Sequence, residues 1–483
     1  MRRAVLLLGL GLCLAAAGCG SSSSSSPLGT ELSYFPDGGP FVATIATDPN
    51  GTAIRNLKAL LGAFPFSQLA LGLVESQLTK VGLNYQTDVE PLYGNPVAFG
   101  VLHIPGRVSV SGSHFLAVWV TKSAAKLAAL IKKLPNATTA SRRVDGATLY
   151  QRGSTAIAID GATVVLGATA ADVAAALDRH AHGGGITASA FAAAMGNLPR
   201  DSLIEAFGTL SGVLAAPAAA AAHKLAWIAA IRTYAAAISA GASGLTARFR
   251  VDTSSGHLTG TELPIAGGTA APGLAGTLPV VVGLRDPAQS INFVLAALQN
   301  VDPRAYSQFA RAENILRART GYDVETFAAL LTGNTIVETD TRTTMGRADV
   351  SDPASAARQL ALLPALARSI KGVRAVKRRP GGFYAIERSK GRPLDVGLVG
   401  NQVVAGVATP AQLRAFAAAP ATPAPGATGA IAARVDLLGL LRLFLRSPSG
   451  RVVRSALSTL GNITGSAAAS PEALTAALGL TLK

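Results

Sequence analysis

The chain has 483 residues, 49% of them apolar, 14% charged and 5% aromatic. Average apolarity with sparse charge excludes a mostly disordered polyampholyte, and the length allows two to four domains. The net charge is +16, and the scarcity of aromatics leaves Ala, Leu and Val to build the core.

Arg2 and Arg3 precede an uncharged apolar run over 4–17. It is shorter than the ~20 residues that span a bilayer core, and reads as a secretory signal over 1–18. Ala16, Ala17 and Gly18 stand directly before Cys19. Small residues before a cysteine resemble the lipobox of bacterial lipoproteins, in which the cysteine thiol receives diacylglycerol. That resemblance implies lipidation of Cys19 and an extracytoplasmic protein anchored to the cell membrane. Gly20 and the serines 21–26 then form a flexible tether, which we extend to residue 29. Cys13 and Cys19 are the two cysteines, so a mature chain starting at Cys19 has no disulfide and no cysteine-based metal site.

Residues 41–46 read as a strand, followed by a turn and helix start at Asp48-Pro49-Asn50-Gly51. Helical spacing runs through Leu57, Leu60 and Leu61, then Leu71, Val74 and Leu78. Strands are predicted over 96–102 and 115–121. A helix starting at Ser123 has Leu127, Leu130, Ile131 and Leu134 on its apolar face. Three short strands (147–151, 155–159, 163–166), a helix (169–177) and a strand (203–208) follow. An Ala-rich helix is expected over 218–239, then a hairpin turning at Thr253-Ser254-Ser255-Gly256.

Much of this pattern recurs. Gly82, Gly94, Gly161 and Gly167 meet Gly321, Gly333, Gly400 and Gly406 at an offset of 239, as Leu92 and Val97 meet Leu331 and Ile336. Asp48-Pro49 meets Asp286-Pro287 at an offset of 238. A nearly constant offset predicts a tandem duplication. The expected copies are 30–264 and 278–483, joined by a Gly/Pro linker over 265–277. Residues 462–482 should answer the hairpin of the first copy, although Pro471-Glu472-Ala473-Leu474 reads as a helix start. The expected fold class is α+β, each copy a largely antiparallel sheet with helices packed on it.

The Cys19 motif, the opening Phe41 to Pro49, and Gly82-Leu83-Asn84-Tyr85 with Asp88-Val89-Glu90-Pro91-Leu92 and Gly94-Asn95 together resemble an uncharacterised family of bacterial envelope lipoproteins. It is common in actinobacteria and is the domain-of-unknown-function family numbered thirty-three fifty-two. The resemblance spans most of the mature chain and implies no activity or catalytic residue.

No nucleophile elbow, P-loop or His-Glu-x-x-His helix is present. Ser123 and Lys126 match Ser-x-x-Lys, but the Lys-Thr-Gly and Ser-Asp-Asn partners are missing, and Ser123 reads as an N-cap. His180 and His182, near Asp178, read as a helix end rather than a metal site, and Asp88 with Glu90 as an acidic turn. The strongest charge feature is 342–392, with twelve Lys and Arg against three acids. Its densest part carries Lys371, Arg374, Lys377, Arg378 and Arg379, expected to form one exposed patch for anionic lipid or wall polymer. An exported address leaves nucleic acid out. The expected function is therefore a membrane-anchored, non-catalytic binding or structural module without cofactor. A lipid or hydrophobic-ligand carrier, and a hydrolase with a site dispersed in sequence, are the alternatives.

Overall fold

The computed structural model describes residues 26–483 apart from 63–66, 81, 104–113, 134–140, 211–216, 255–257, 368–371 and 445–456. The chain forms two compact units. Unit 1 runs through Ala220 and takes in Arg232–Val251; unit 2 comprises Ala221–Ile231 and Asp252–Lys483.

Unit 1 has ten strands: β1 (Phe41–Ile45), β2 (Val97–His103), β3 (His114–Val120), β4 (Ser141–Val144), β5 (Ala147–Arg152), β6 (Thr155–Asp160), β7 (Thr163–Gly167), β8 (Ile204–Thr209), β9 (Ile231–Gly241) and β10 (Gly244–Thr253). They lie in the order β4-β5-β6-β7-β3-β2-β1-β8-β9-β10, antiparallel from β4 to β9. Its helices are α1 (Pro27–Leu32), α2 (Thr52–Gly62), α3 (Ser67–Lys80), α4 (Ala124–Lys133), α5 (Ala170–His182) and α6 (Ala188–Met195). Ala98, Leu116, Val118, Ala156, Ala158 and Val165 all point to one face of the sheet, called here the first face. There they pack with Leu32 of α1, Val173, Ala176 and Leu177 of α5, and Phe191 of α6.

The first described residues belong to this core. Glu31, Leu32, Tyr34 and Phe35 have no exposed surface. Ile186 N–H donates to the Phe35 carbonyl, and the Arg179 guanidinium donates twice to that of Tyr34. Gly185 is required at this seam, because a Cβ there would lie 1.9 Å from the Ser33 carbonyl oxygen. Glu31 accepts from the Val120 N–H at 3.1 Å, and burial holds its carboxyl well above the usual range despite that bond.

Unit 2 also contributes ten strands: β11 (Val280–Arg285), β12 (Asn334–Thr339), β13 (Thr344–Asp349), β14 (Val373–Arg379), β15 (Phe383–Arg388), β16 (Leu394–Val399), β17 (Gln402–Gly406), β18 (Ile431–Asp436), β19 (Leu460–Ala469) and β20 (Ala473–Leu482). Their order, β14-β15-β16-β17-β13-β12-β11-β18-β19-β20, is antiparallel throughout and repeats that of unit 1 strand for strand. The helices are α7 (Ala226–Ala230), α8 (Pro287–Val301), α9 (Pro303–Thr320), α10 (Val324–Leu330), α11 (Pro353–Ala361), α12 (Leu363–Ala367), α13 (Pro410–Ala418) and α14 (Leu437–Phe444). Leu413 and Phe416 of α13 cover the first face over Ile336, Phe383 and Val404. Arg347, buried on that face, donates to the carbonyls of Phe416, Ala417 and Ala419 at 2.6–2.7 Å. These oxygens lie at the C-terminus of α13, where the partial negative charge of the helix end favours a cation; the Phe416 carbonyl also accepts the Ala419 N–H.

Gly161 (φ 56°) and Gly400 (φ 60°) make the matching tight turns before β7 and β17. Thr169 and Thr409 each close a capping box at the helix that follows. Gly167 lies opposite Leu116 and Ala156; Gly406 lies opposite Met345 and Asp395. If Gly167 is set on Gly406, the ladders put Ala98, not Val97, on Ile336, so the offset at β2 is 238 and Gly94 falls one residue short of Gly333.

Four expectations need correction. Residues 231–241, read as part of a long helix, are strand β9, and only Ala226–Ala230 form an α-helix there. The hairpin turns at 241–244 rather than at Thr253. Residues 265–277 belong to unit 2, where Gly273–Leu274 pair with Thr422–Pro423 and Arg285 donates to the Gly267 and Ala270 carbonyls. Residues 460–482 do form a hairpin, and Pro471-Glu472 is its turn rather than a helix start.

Glu205 of β8 gives a pH test. Burial, then nearby Asp201, push its carboxyl up to about 7. The folded chain therefore holds a proton that the unfolded chain releases above ~4.3. Stability should fall from pH 4.5 to 7, and Glu205→Gln should remove about 2 kcal/mol of that fall after allowance for solvent screening. Urea midpoints at pH 5 and pH 8 measure it; an unchanged slope in the variant contradicts the assignment.

Candidate binding surfaces

Cys19 and Lys371 lie outside the described residues. The other four cations of the basic cluster are on β14, an edge strand paired only with β15 among the described residues. A strand sends alternate side chains to opposite faces, so the cluster is divided. Lys377 pairs with Glu387 at 2.7 Å and Arg379 with the buried Asp395 at 2.9 Å on the first face. Arg378 lies 6.0 Å from the Tyr384 ring centre. Arg374 is exposed at the bulge between Val373 and Ala375. The five charges were expected to act as one patch without counter-charge. Two of the four described have carboxylate partners, which the sequence places ten and sixteen residues away. The edge strand β4, at the same place in unit 1, carries exposed Arg142 and Arg143, a likeness that sequence spacing missed.

The other polar candidates have local roles. Ser123 Oγ accepts from the Lys126 N–H at 3.2 Å, as an N-cap does. Asp88 accepts from the Asn84 N–H and pairs with Lys133, which together hold its carboxyl below the usual range. Glu90 opens a short 3-10 turn. His182 pairs with Asp178, while His180 stacks on Tyr34 with ring centres 4.2 Å apart. His180 Nδ1 also lies 2.5 Å from Ser33 Oγ. That hydroxyl donates its proton to the Thr30 carbonyl at 2.7 Å, so the imidazole faces a lone pair and not a proton it could abstract. No group of three metal-ligating side chains occurs among the described residues.

Sequence reasoning missed the second face of the unit 1 sheet. A row of apolar side chains crosses six strands there: Tyr150, Ile157, Leu166, Ala117, Phe99 and Ala43. The adjacent row runs from Arg143 through Thr148, Ile159, Val164 and Trp119 to Val97. Phe99 stacks on Phe115 at 6.2 Å and Tyr93 lies 5.2 Å from Trp119. Yet Ile157 is 37% and Phe99 36% exposed. Val396 takes the place of Ile157 in unit 2 and is only 7% exposed, within a cluster with Ala356 and Leu360 of α11 and Leu363 of α12. One unit thus covers this part of its second face with its own helices, and the other leaves it half open. The available signal was the unbroken apolar run in β2 and β3, which marks two apolar faces.

No family model matches the chain, and no curated protein matches it. Among solved structures it is similar to TP0453 in three crystal forms, III, IV and I, at 9%, 11% and 10% identity. These matches cover 48–49% of this chain and 81–84% of that one, each with a TM-score of 0.27. No described helix is long and apolar enough to cross a membrane.

The ion pairs on β14 carry a stability prediction. Arg379→Ala leaves the Asp395 carboxylate buried without its partner and should cost about 2–3 kcal/mol. Arg374→Ala, at an exposed site, should stay within about 0.5 kcal/mol. Urea denaturation of the two variants checks the contrast; equal midpoints contradict it.

Proposed function

We propose that the protein is an extracytoplasmic lipoprotein, held to the cell membrane by acylated Cys19 and acting as a non-catalytic binding module. The observation that carries the binding role is the second face of unit 1, where Ile157 and Phe99 are both exposed, whereas in unit 2 Val396, in the place of Ile157, is packed under helices. Anchoring is supported by the Arg2-Arg3 start, the short apolar run and the small residues before Cys19. The tether from Cys19 to Pro27 spans eight residues, at most ~28 Å, and α1 is sunk into the unit 1 core. Such a module stays close to the membrane surface.

The two units are, on this reading, tandem copies of one α+β ancestor. The shared strand order, the paired glycine turns and the paired capping boxes support it. The resemblance to the actinobacterial envelope-lipoprotein family fits the same reading. Of the five-cation cluster, Arg374 and Arg378 have no carboxylate partner among the described residues and, with Lys371, which lies outside them, remain its candidates for anionic lipid or wall polymer. The carrier reading is favoured over the hydrolase one by the open apolar face.

Cys19→Ser should move the processed protein from the membrane fraction to the soluble fraction; continued membrane retention would sink the anchoring. Native mass spectrometry of the envelope-extracted chain should show a retained small molecule, and its absence from freshly extracted protein counts against the binding role.

A further inference from the structure

We infer that the open second face of unit 1 seats an acyl chain of an anionic phospholipid, with the headgroup toward edge strand β4. The inference rests on the binding role proposed above and names its ligand. Ile157 on β6 and Phe99 on β2 are the exposed ends of one cross-strand row, separated by β7 and β3. Three strand spacings are about 14 Å, close to the ~15 Å that half of a bilayer core gives one chain. Leu166 and Ala117 between them keep the floor free of charge and of hydrogen-bonding groups. A site built for a polar ligand would place convergent polar groups here.

Charge at the margin selects the headgroup. Arg143 ends the adjacent row and is exposed; Arg142, opposite the core residue Leu149, points to the first face. Helix α4 adds exposed Lys126 and Lys132, whereas Lys133 is taken by Asp88. The acid in the β4–β5 turn is Asp145. Cations on an apolar margin favour an anionic lipid over a zwitterionic one, by roughly 1 kcal/mol per charge. In unit 2 the β16 end of the same span is closed, with Tyr384, Val396 and Val403 inside a packed cluster, while Val337 at the other end is exposed. Only unit 1 leaves both ends of the span exposed.

The test uses the full chain carrying Cys19→Ser, titrated with phosphatidylglycerol bearing a fluorophore on one acyl chain, and with phosphatidylcholine labelled alike. Saturable binding is expected, tighter for phosphatidylglycerol. Phe99→Arg and Ile157→Arg should each weaken it at least tenfold with the thermal midpoint nearly unchanged, since both side chains already meet solvent. Val337→Arg, at the ladder position of Phe99 in unit 2 and 38% exposed, should leave binding as it was. Arg143→Glu should reduce the preference for phosphatidylglycerol, and Arg142→Glu, on the other face, should leave it unchanged. Binding that is insensitive to Phe99→Arg, or lost equally with Val337→Arg, overturns the inference. So does a dimer in light scattering that Phe99→Arg dissolves, which makes a second copy the occupant. If phosphatidylglycerol fails to bind while envelope-extracted protein retains another molecule that Phe99→Arg removes, the binding role stands and the lipid assignment falls.

Discussion

A sheet whose strands are apolar at both parities has two faces to cover, and one helical layer covers one. That constraint organises each unit. In unit 1 the first face is sealed by α1, α5 and α6, and α1 with the turn after it supplies Leu32, Tyr34 and Phe35, all without exposed surface. The start of the folded chain is therefore part of the core. It also brings a carboxyl, Glu31, into a site that favours its neutral form. The second face has no equivalent cover over Ile157 and Phe99, and the binding role proposed for the protein follows from that difference.

The sequence reveals strands where apolar runs are short and bounded by glycine. Strands β5, β6 and β7, with turns at Gly153 and Gly161, and the Thr169 cap of α5 are legible for this reason. It fails at 231–241, where alanine dominates. Alanine has the highest helix propensity and carries no β-branched signature, so a strand that buries Ala235, Ala237 and Ala240 reads as helix. Packing decides there: the small side chains let β9 lie against β8 under the core, and propensity is overridden. Pro471-Glu472 misleads similarly, because proline suits both the first turn of a helix and a hairpin turn.

The candidate surfaces divide along the same line. Density of charge in 371–379 is visible in sequence, but its partners are not, since Glu387 and Asp395 reach β14 only through sheet register. The apolarity of both faces of β2 and β3 is equally visible. Whether a helix lies over it depends on elements elsewhere in the chain, and no pattern within β2 or β3 encodes that.

The two units share a strand order but differ in what they bury. Unit 2 places Arg347 under the end of α13, where the unit 1 ladder has Val118, and covers its second face at Tyr384, Val396 and Val403 with α11 and α12. A buried cation costs desolvation, and here three carbonyls at a helix C-terminus offset it. Unit 1 instead buries the Glu31 carboxyl on its first face and leaves Ile157 and Phe99 on its second in partial contact with water. At roughly 25 cal/mol for each Å² of apolar surface left wet, that exposure is a standing cost to folding. In a chain of two compact units one can bear such a cost while the other has its own core. The proposed ligand would offset that cost by covering the surface, and Arg143 on the edge strand offers a positive charge to its anionic end.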